Sequence, residues 1–272
     1  MSYERIILQR VKQLRCILPH TGVRKLKIML ADPGYGLPIN VGRDMLLKLL
    51  GENKMLVKPP KYFHQTTYSK HNLPSYPNLL KGKRITAVNQ VWVSDITYLQ
   101  LPDRKYHYLF LVTDYASRKI IGYALKNSLA SEGAIEALQM ACDLSNPDAG
   151  FIHHSDHGVQ YCSKNYLELL RKNNAQISMT GPNHCYDNAV AERVNGILKQ
   201  EFGLGDIIPN LTAATKLTHQ AITLYNNVRL HTSLGFKTPT LMYRSLMGDT
   251  DAAPDYQQKT LYLKNEIRRH FV

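Results

Sequence analysis

VWVSDITYLQLPDRKYHYLFLVTDYASRKIIGYALK, residues 91–126, decides the fold class. Three β-branched and aromatic runs, 91–101, 105–114 and 118–126, are separated by the short turns Pro-Asp-Arg and Tyr-Ala-Ser. That pattern predicts a three-stranded antiparallel meander. Downstream, SEGAIEALQMACDL (131–144) repeats apolar residues at helical spacing, with Ala134, Ile135, Leu138, Ala141 and Cys142 on the stripe. FIHHSD (151–156) reads as a short buried strand, KNYLELLRKNN (164–174) as a helix and AQISM (175–179) as another strand. A meander followed by helix, strand, helix and strand gives an α/β domain: a mixed five-stranded sheet with flanking helices.

Upstream the pattern breaks. Residues 58–88 carry Pro59, Pro60, Pro74, Pro77 and Gly82 among basic residues without a clear period, which reads as a linker. Before it, GVRKLKIMLA (22–31) places Val23, Leu26 and Leu30 on one stripe, with Thr21 as N-cap and DPGYGLP as the stop. A second helix is expected from about Arg43 to Leu50, with Leu46, Leu47 and Leu50 apolar and Gly51 ending it. Arg24, Lys25, Lys27, Arg43 and Lys48 then fall on exposed sides, where a helix-turn-helix would place DNA-binding residues. An ordinary helical pair explains the same pattern equally well. The expected organisation is a basic helical region at 1–60, a linker at 61–88, a catalytic core at 89–205 and a helical extension at 206–272.

With 44% hydrophobic and 20% charged residues in a chain of 272, composition excludes a disordered or low-complexity protein. No apolar run approaches the roughly 18 residues of a membrane span, and MSYERIILQRVKQ is too charged for a signal peptide. A cytoplasmic, membrane-free protein is expected. Cys16, Cys142, Cys162 and Cys185 form no C-x-x-C pair, so reduced thiols are expected rather than a disulfide framework or thiolate zinc site. The net charge of +13 is concentrated: residues 1–90 hold 16 Lys and Arg against 4 Asp and Glu, whereas residues 91–204 hold 10 against 12. A basic arm ahead of a near-neutral core suits a phosphate-backbone binder, although a solvated basic surface or an anionic membrane partner fits composition alone.

Three acids stand out. Asp95 lies mid-strand among Val93, Ile96 and Tyr98, where a carboxylate needs an exposed sheet edge or a cation. Asp156 follows the short strand, where open α/β sheets present ligands, yet an Asp before His-Gly is also a common turn former. Glu192 lies in DNAVAERVNGILKQEF, a helix expected from about Asn188 with Asp187 as N-cap. At 100° per residue, Val190, Val194, Ile197 and Leu198 share one face and Asn188, Glu192, Asn195 and Lys199 the other. That stripe is either a solvated face or a metal-and-phosphate face, with Glu192 on the cation and Asn188, Asn195 and Lys199 on DNA. Three converging carboxylates would repel by about 4 kcal/mol per pair at 4 Å and an effective dielectric near 20, so they persist only around cations. An all-oxygen donor set favours Mg²⁺ or Mn²⁺ over zinc, and two such ions suit in-line phosphoryl displacement.

Between Asp156 and Glu192 lie 35 residues, as in the D,D(35)E signature. WVSDITYL, LVTDYASRKIIGY, HHSDHGVQYCS, DNAVAERVNGILKQE and YNNVRLHTSLGFKTP, across roughly residues 20–245, resemble bacterial insertion-sequence transposases of the OrfB type and the retroviral integrases. The resemblance implies an RNase H-like core and DNA strand cleavage and strand transfer, with Asp95, Asp156 and Glu192 as catalytic metal ligands for a pair of Mg²⁺ or Mn²⁺ ions. It also implies DNA as partner (element ends and target), a homo-multimer on DNA and a nucleoid-associated bacterial location. The paired His and Cys residues of an integrase zinc domain are missing: Cys16, His20, His64 and His71 supply one thiol at irregular spacing. Such insertion sequences encode a separate helix-turn-helix in an upstream frame, so the resemblance also implies that protein, or a fusion with it, as a partner for recognising element ends. A catalytically silent DNA-binding regulator derived from such an enzyme is the alternative.

His153, His154, His157 and His184 are expected as polar neighbours of the acids rather than zinc ligands, and Gln160 and Tyr161 as orienting residues or as part of a cap through Ser163. Asp114 and Asp187 are assigned structural roles and Trp92 a place in the core. Arg229 and His231 resemble a tyrosine-recombinase pair, but no second arginine and tyrosine complete it.

Overall fold

A computed structural model describes residues 2–57, 73–181 and 188–249. The meander forms as expected: β1 (Val91–Gln100), β2 (Tyr106–Asp114) and β3 (Ile120–Lys126) are antiparallel, with Asp95 opposite Leu111. Helix α4 (Ser131–Ser145) crosses to β4 (Ile152–Ser155), and α5 (Lys164–Lys172) crosses to β5 (Gln176–Met179), both strands running parallel to β1. The order β3-β2-β1-β4-β5 gives the mixed, RNase H-like sheet.

Strand alternation divides the core between two faces. Trp92, Phe110 and Val112 point toward α4 and α5, packing with Ala137, Leu138, Tyr166 and Leu170. Helix α4 lies directly on the sheet at Gly122, where a Cβ would come within 2.0 Å of the Ala137 carbonyl oxygen. The opposite face presents Leu99, Leu109 and Leu111 to α6 (Ala189–Glu201) and α7 (Leu211–Asn227). Helix α8 (Pro239–Leu246) sits against α7 and the core, with Tyr243 hydrogen-bonded to Asn89.

The N-terminal region differs from expectation in several particulars. Helix α1 (Tyr3–Ile17) precedes the anticipated pair and buries Ile7, Val11, Leu14 and Ile17, a spacing of three or four that its many charges obscure. Helix α2 (Val23–Ala31) is capped by Gly22, because the Thr21 hydroxyl donates to the Leu18 carbonyl at 2.9 Å. In α3 (Arg43–Glu52), Gly51 lies inside the helix and Leu47 faces solvent, with Leu49 taking its expected place beside Leu46 and Leu50. All three helices share one apolar cluster with Val194, Ile197 and Leu198 of α6 and with α7.

The expected linker falls partly outside the described residues, including Pro59 and Pro60; Pro74, Pro77 and Gly82 lie in irregular chain. Among the described residues no helix is long and apolar enough to cross a membrane. Cys16, Cys142 and Cys162 are free thiols, and Cys185 is outside the described residues.

Candidate active site

The β1–β4 pairing builds the site. Its last paired residues are Val93 and His154, and the two aspartates each stand two residues farther along. Parallel neighbours lie about 4.8 Å apart, so Asp95 and Asp156 emerge side by side on the α6 face. Asp95 Oδ1 accepts the Ile96 N–H at 2.9 Å and Oδ2 accepts Asn195 Nδ2–H at 2.7 Å. Asp156 Oδ1 accepts the Gly158 N–H at 3.1 Å, the turn bond anticipated for an Asp before His-Gly. Burial pushes the Asp95 carboxyl up to about 7, and the charge of Asp156 pushes in the same direction.

Glu192 stands exposed on the first turn of α6, directly after the undescribed residues 182–187. Its carboxyl is raised by partial burial and then by Asp156, and it in turn raises Asp95. The three acids feel one another but are not gathered: among the described residues no three His, Cys, Asp or Glu side chains form a metal-holding group. Like charges without a counter-ion resist closer approach. The donor set nevertheless suits a hard divalent ion. It is all oxygen, and the buried Asp95 carboxyl lacks an ion pair within 4 Å among the described residues.

Two predicted DNA contacts are corrected. Asn188 is buried, donating from Nδ2 to the Ser94 carbonyl at 3.0 Å, and Asn195 is buried against Asp95. Asn195 lies only about 40° around the helix from the buried Ala191, at the edge of the apolar arc rather than opposite it. Lys199 keeps its place beside the acids: burial lowers its pKa, Asp95 raises it, and the ammonium lies 5.9 Å from the Tyr98 ring centre.

Arg24, Lys27, Arg43 and Lys48 are exposed as expected, with Arg43 paired to Asp44 at 2.7 Å and Lys48 to Glu52 at 3.9 Å. Lys25 is corrected. One turn before the buried Met29, it points inward, with Nζ 3.5 Å from Glu201. The Arg229 guanidinium forks onto the same carboxylate, Nε to Oε2 at 2.7 Å and Nη2 to Oε1 at 2.5 Å. This ion cluster was invisible in sequence because its members are 176 and 28 residues apart; only the charges within apolar stripes hinted at it. His231 stacks edge-on to Tyr225 with ring centres 4.8 Å apart, so the recombinase-like pair is part of the scaffold.

His153 Nε2 lies 2.8 Å from both Ser94 Oγ and Tyr166 Oη, and burial lowers its pKa to about 3. His154 Nδ1 meets Ser178 Oγ at 2.8 Å, and His157 meets the Pro74 carbonyl at 3.2 Å. Gln160 donates to the Leu129 carbonyl at 2.7 Å; Tyr161 is buried beneath the aspartates, and burial followed by their charges raises its phenol pKa. Ser163 precedes α5 without a side-chain cap bond. Asp114 is structural, accepting from Asn89 N–H at 2.8 Å and from Ser117 Oγ at 2.6 Å, and Trp92 is fully buried. His184 and Asp187 lie outside the described residues.

Models of the integrase core domain match residues 85–185 and 173–239. The chain is 38% identical over 220 residues to an insertion element IS600 31 kDa protein of Shigella sonnei, covering 80% of this chain and 79% of that one. It is 33% identical to the transposase InsF for insertion sequence IS3A of Escherichia coli, covering 80% and 75%. Among solved structures, the simian T-cell lymphotropic virus intasome aligns with a TM-score of 0.51 and 19% identity, covering 89% of this chain and 74% of that one, a likeness of fold.

Proposed function

We propose, for a chain that belongs to the insertion-sequence transposases with an integrase core domain, that Asp95, Asp156 and Glu192 are its catalytic metal ligands. The protein is a transposase, a DDE-type polynucleotidyl transferase. One observation supports the residue assignment above the others: Asp95 and Asp156 emerge level with each other, and Asp95 is held near neutrality by burial and its neighbour's charge. Such an arrangement costs stability in folding and is stabilised by a divalent ion.

Bound Mg²⁺, or Mn²⁺ in its place, supplies activation of the attacking oxygen and stabilisation of the leaving oxygen in phosphoryl transfer, with two ions the expected number. Asp95 and Asp156 would hold the ions from the sheet and Glu192 from α6. Asn195 fixes the orientation of Asp95 through its amide. Lys199, beside the acids, would align the scissile phosphate, and exposed Arg24, Lys27, Arg43 and Lys48 would grip the DNA backbone. Water would open the phosphodiester at an element end, and the released 3′-hydroxyl would then attack target DNA. The acting form would be a homo-multimer on DNA in the bacterial cytoplasm, associated with the nucleoid and aided by an upstream-frame helix-turn-helix protein or fusion. The N-terminal basic helices, the linker, the core and the C-terminal extension would divide these tasks.

Asp95→Asn, Asp156→Asn and Glu192→Gln test the assignment in single-turnover cleavage of labelled duplex carrying an element end. Each substitution is expected to reduce cleavage and joining by at least about 10³-fold, while duplex affinity stays within about twofold. Retained cleavage in any of them with Mg²⁺ or Mn²⁺ contradicts the role of that residue.

A further inference from the structure

Helix α6 connects two clusters of charged groups. Glu192 stands on its first turn, and Glu201 ends it nine residues later, about half a turn around the axis and pointing the other way. At the first end, Asn188 and Asn195 tie the helix to β1 at Ser94 and Asp95. At the second, Glu201 lies between Arg229, whose side chain is 4% exposed, and Lys25, whose side chain is 16% exposed. Arg193, the residue after Glu192, adds a third positive charge to the field at Glu201. The cations need that carboxylate, so the axial position of α6 is fixed where Lys25 and Arg229 meet it.

Lys25 belongs to α2, whose opposite side exposes Arg24 and Lys27. The attachment of this region is reinforced by Tyr35 Oη, which donates to the Val228 carbonyl at 2.8 Å one residue before Arg229. Leu26 and Leu30 also share a cluster with Ile197 and Leu198 of α6. A continuous path of packed and charged groups thus joins α2 to α6.

We propose that Lys25 is a positioning residue for Glu192: its pairing with Glu201 makes the placement of the third acid depend on the placement of the N-terminal basic helices. DNA held on the Arg24 and Lys27 side of α2 would thereby be coupled to completion of the acidic site. The inference rests on the reading of Glu192 as a metal ligand.

Lys25→Met, Lys25→Arg and Glu192→Gln in the full chain provide the test, with Mn²⁺ affinity read from free-Mn²⁺ electron paramagnetic resonance in the presence of element-end duplex. Lys25→Met is expected to weaken Mn²⁺ binding by about fivefold, the lower end of the coupling found between distinct sites, and Lys25→Arg to restore it. The slope of log duplex affinity against log salt should match the wild type in Lys25→Met. A slope reduced by about one would make Lys25 a phosphate contact and overturn the proposal. Unchanged Mn²⁺ affinity beside a lowered melting temperature would make it purely structural, which also overturns the proposal. If Glu192→Gln weakens Mn²⁺ binding and Lys25→Met does not, only the coupling fails. If Glu192→Gln binds Mn²⁺ as the wild type does, the ligand reading of Glu192 fails with it.

Discussion

The two ends of α6 carry charge in opposite states. Around Glu201, Arg229 and Lys25 answer a single carboxylate, whose pKa is lowered because these partners outweigh its burial. Around Asp95, carboxylates face one another and the pKa rises to about 7. The same helix thus joins a satisfied cluster to a frustrated one. Satisfied buried charge serves the scaffold, whereas frustrated buried charge persists where a ligand is to complete it.

The sharpest way to break this contrast is a pair of substitutions with opposite signs. Glu201→Ala leaves the Arg229 guanidinium buried without its carboxylate and is expected to destabilise by about 3–5 kcal/mol in urea unfolding. Asp95→Asn removes charge where charge is crowded, and the Asn195 amide can turn its unpartnered Oδ1 toward the new NH₂ group. Metal-free protein should gain about 1–2 kcal/mol from that change. A loss in the second variant comparable to the first would erase the distinction between the two ends.

Acid titration sharpens the comparison next. Burial holds His153, on the sheet near the acids, at about 3, and His231, in the cationic cluster, at about 2. Both are lowered from the ordinary 6.5, so the unfolded chain binds more protons below that pH. Stability present above pH 6.5 should fall as pH drops, by about 2 kcal/mol per histidine at pH 5. Glu201 contributes its loss only below its ordinary 4.5, outside this window. Asp95 opposes this fall, because its carboxyl, raised to about 7, is protonated first in the folded chain and adds stability as pH drops to 5. His231→Gln should therefore make the net change between pH 6.5 and 5 less unfavourable by about 2 kcal/mol, measured against its own stability at pH 7; an unchanged slope would exclude a buried neutral imidazole there.

The smallest effect belongs to the amide between the clusters. Asn195→Ala keeps all three acids but frees Asp95 Oδ2, and should slow cleavage at saturating Mg²⁺ by about tenfold. A rate equal to the wild type would remove Asn195 from the positioning of Asp95.

The core was legible because its strand signals are local: Trp92 and Ile96 in one run and Phe110 and Val112 in the next alternate with their neighbours, whereas the acids were singled out through the family resemblance that the interval from Asp156 to Glu192 carries. The N-terminal third was less so. Helix α1 alternates charge with its buried Ile7, Val11 and Leu14, so composition hid its periodicity. Lys25, Asn188 and Asn195 were misplaced for a shared reason: each lies at the border of an apolar arc, where a helical wheel cannot decide between solvent and a distant partner. Those partners, Glu201, Ser94 and Asp95, become visible only once the chain is folded.

Glu192 must move from the neighbourhood of the aspartates into contact with the same ions. A crystal structure of the protein with Mn²⁺ and an element-end duplex, with ions located by anomalous scattering, tests this directly. Metal is expected between Asp95 and Asp156 with a Glu192 oxygen about 2.1 Å from it. Metal bound by the aspartates while Glu192 remains turned to solvent, in a complex that goes on to cut its DNA, would contradict it.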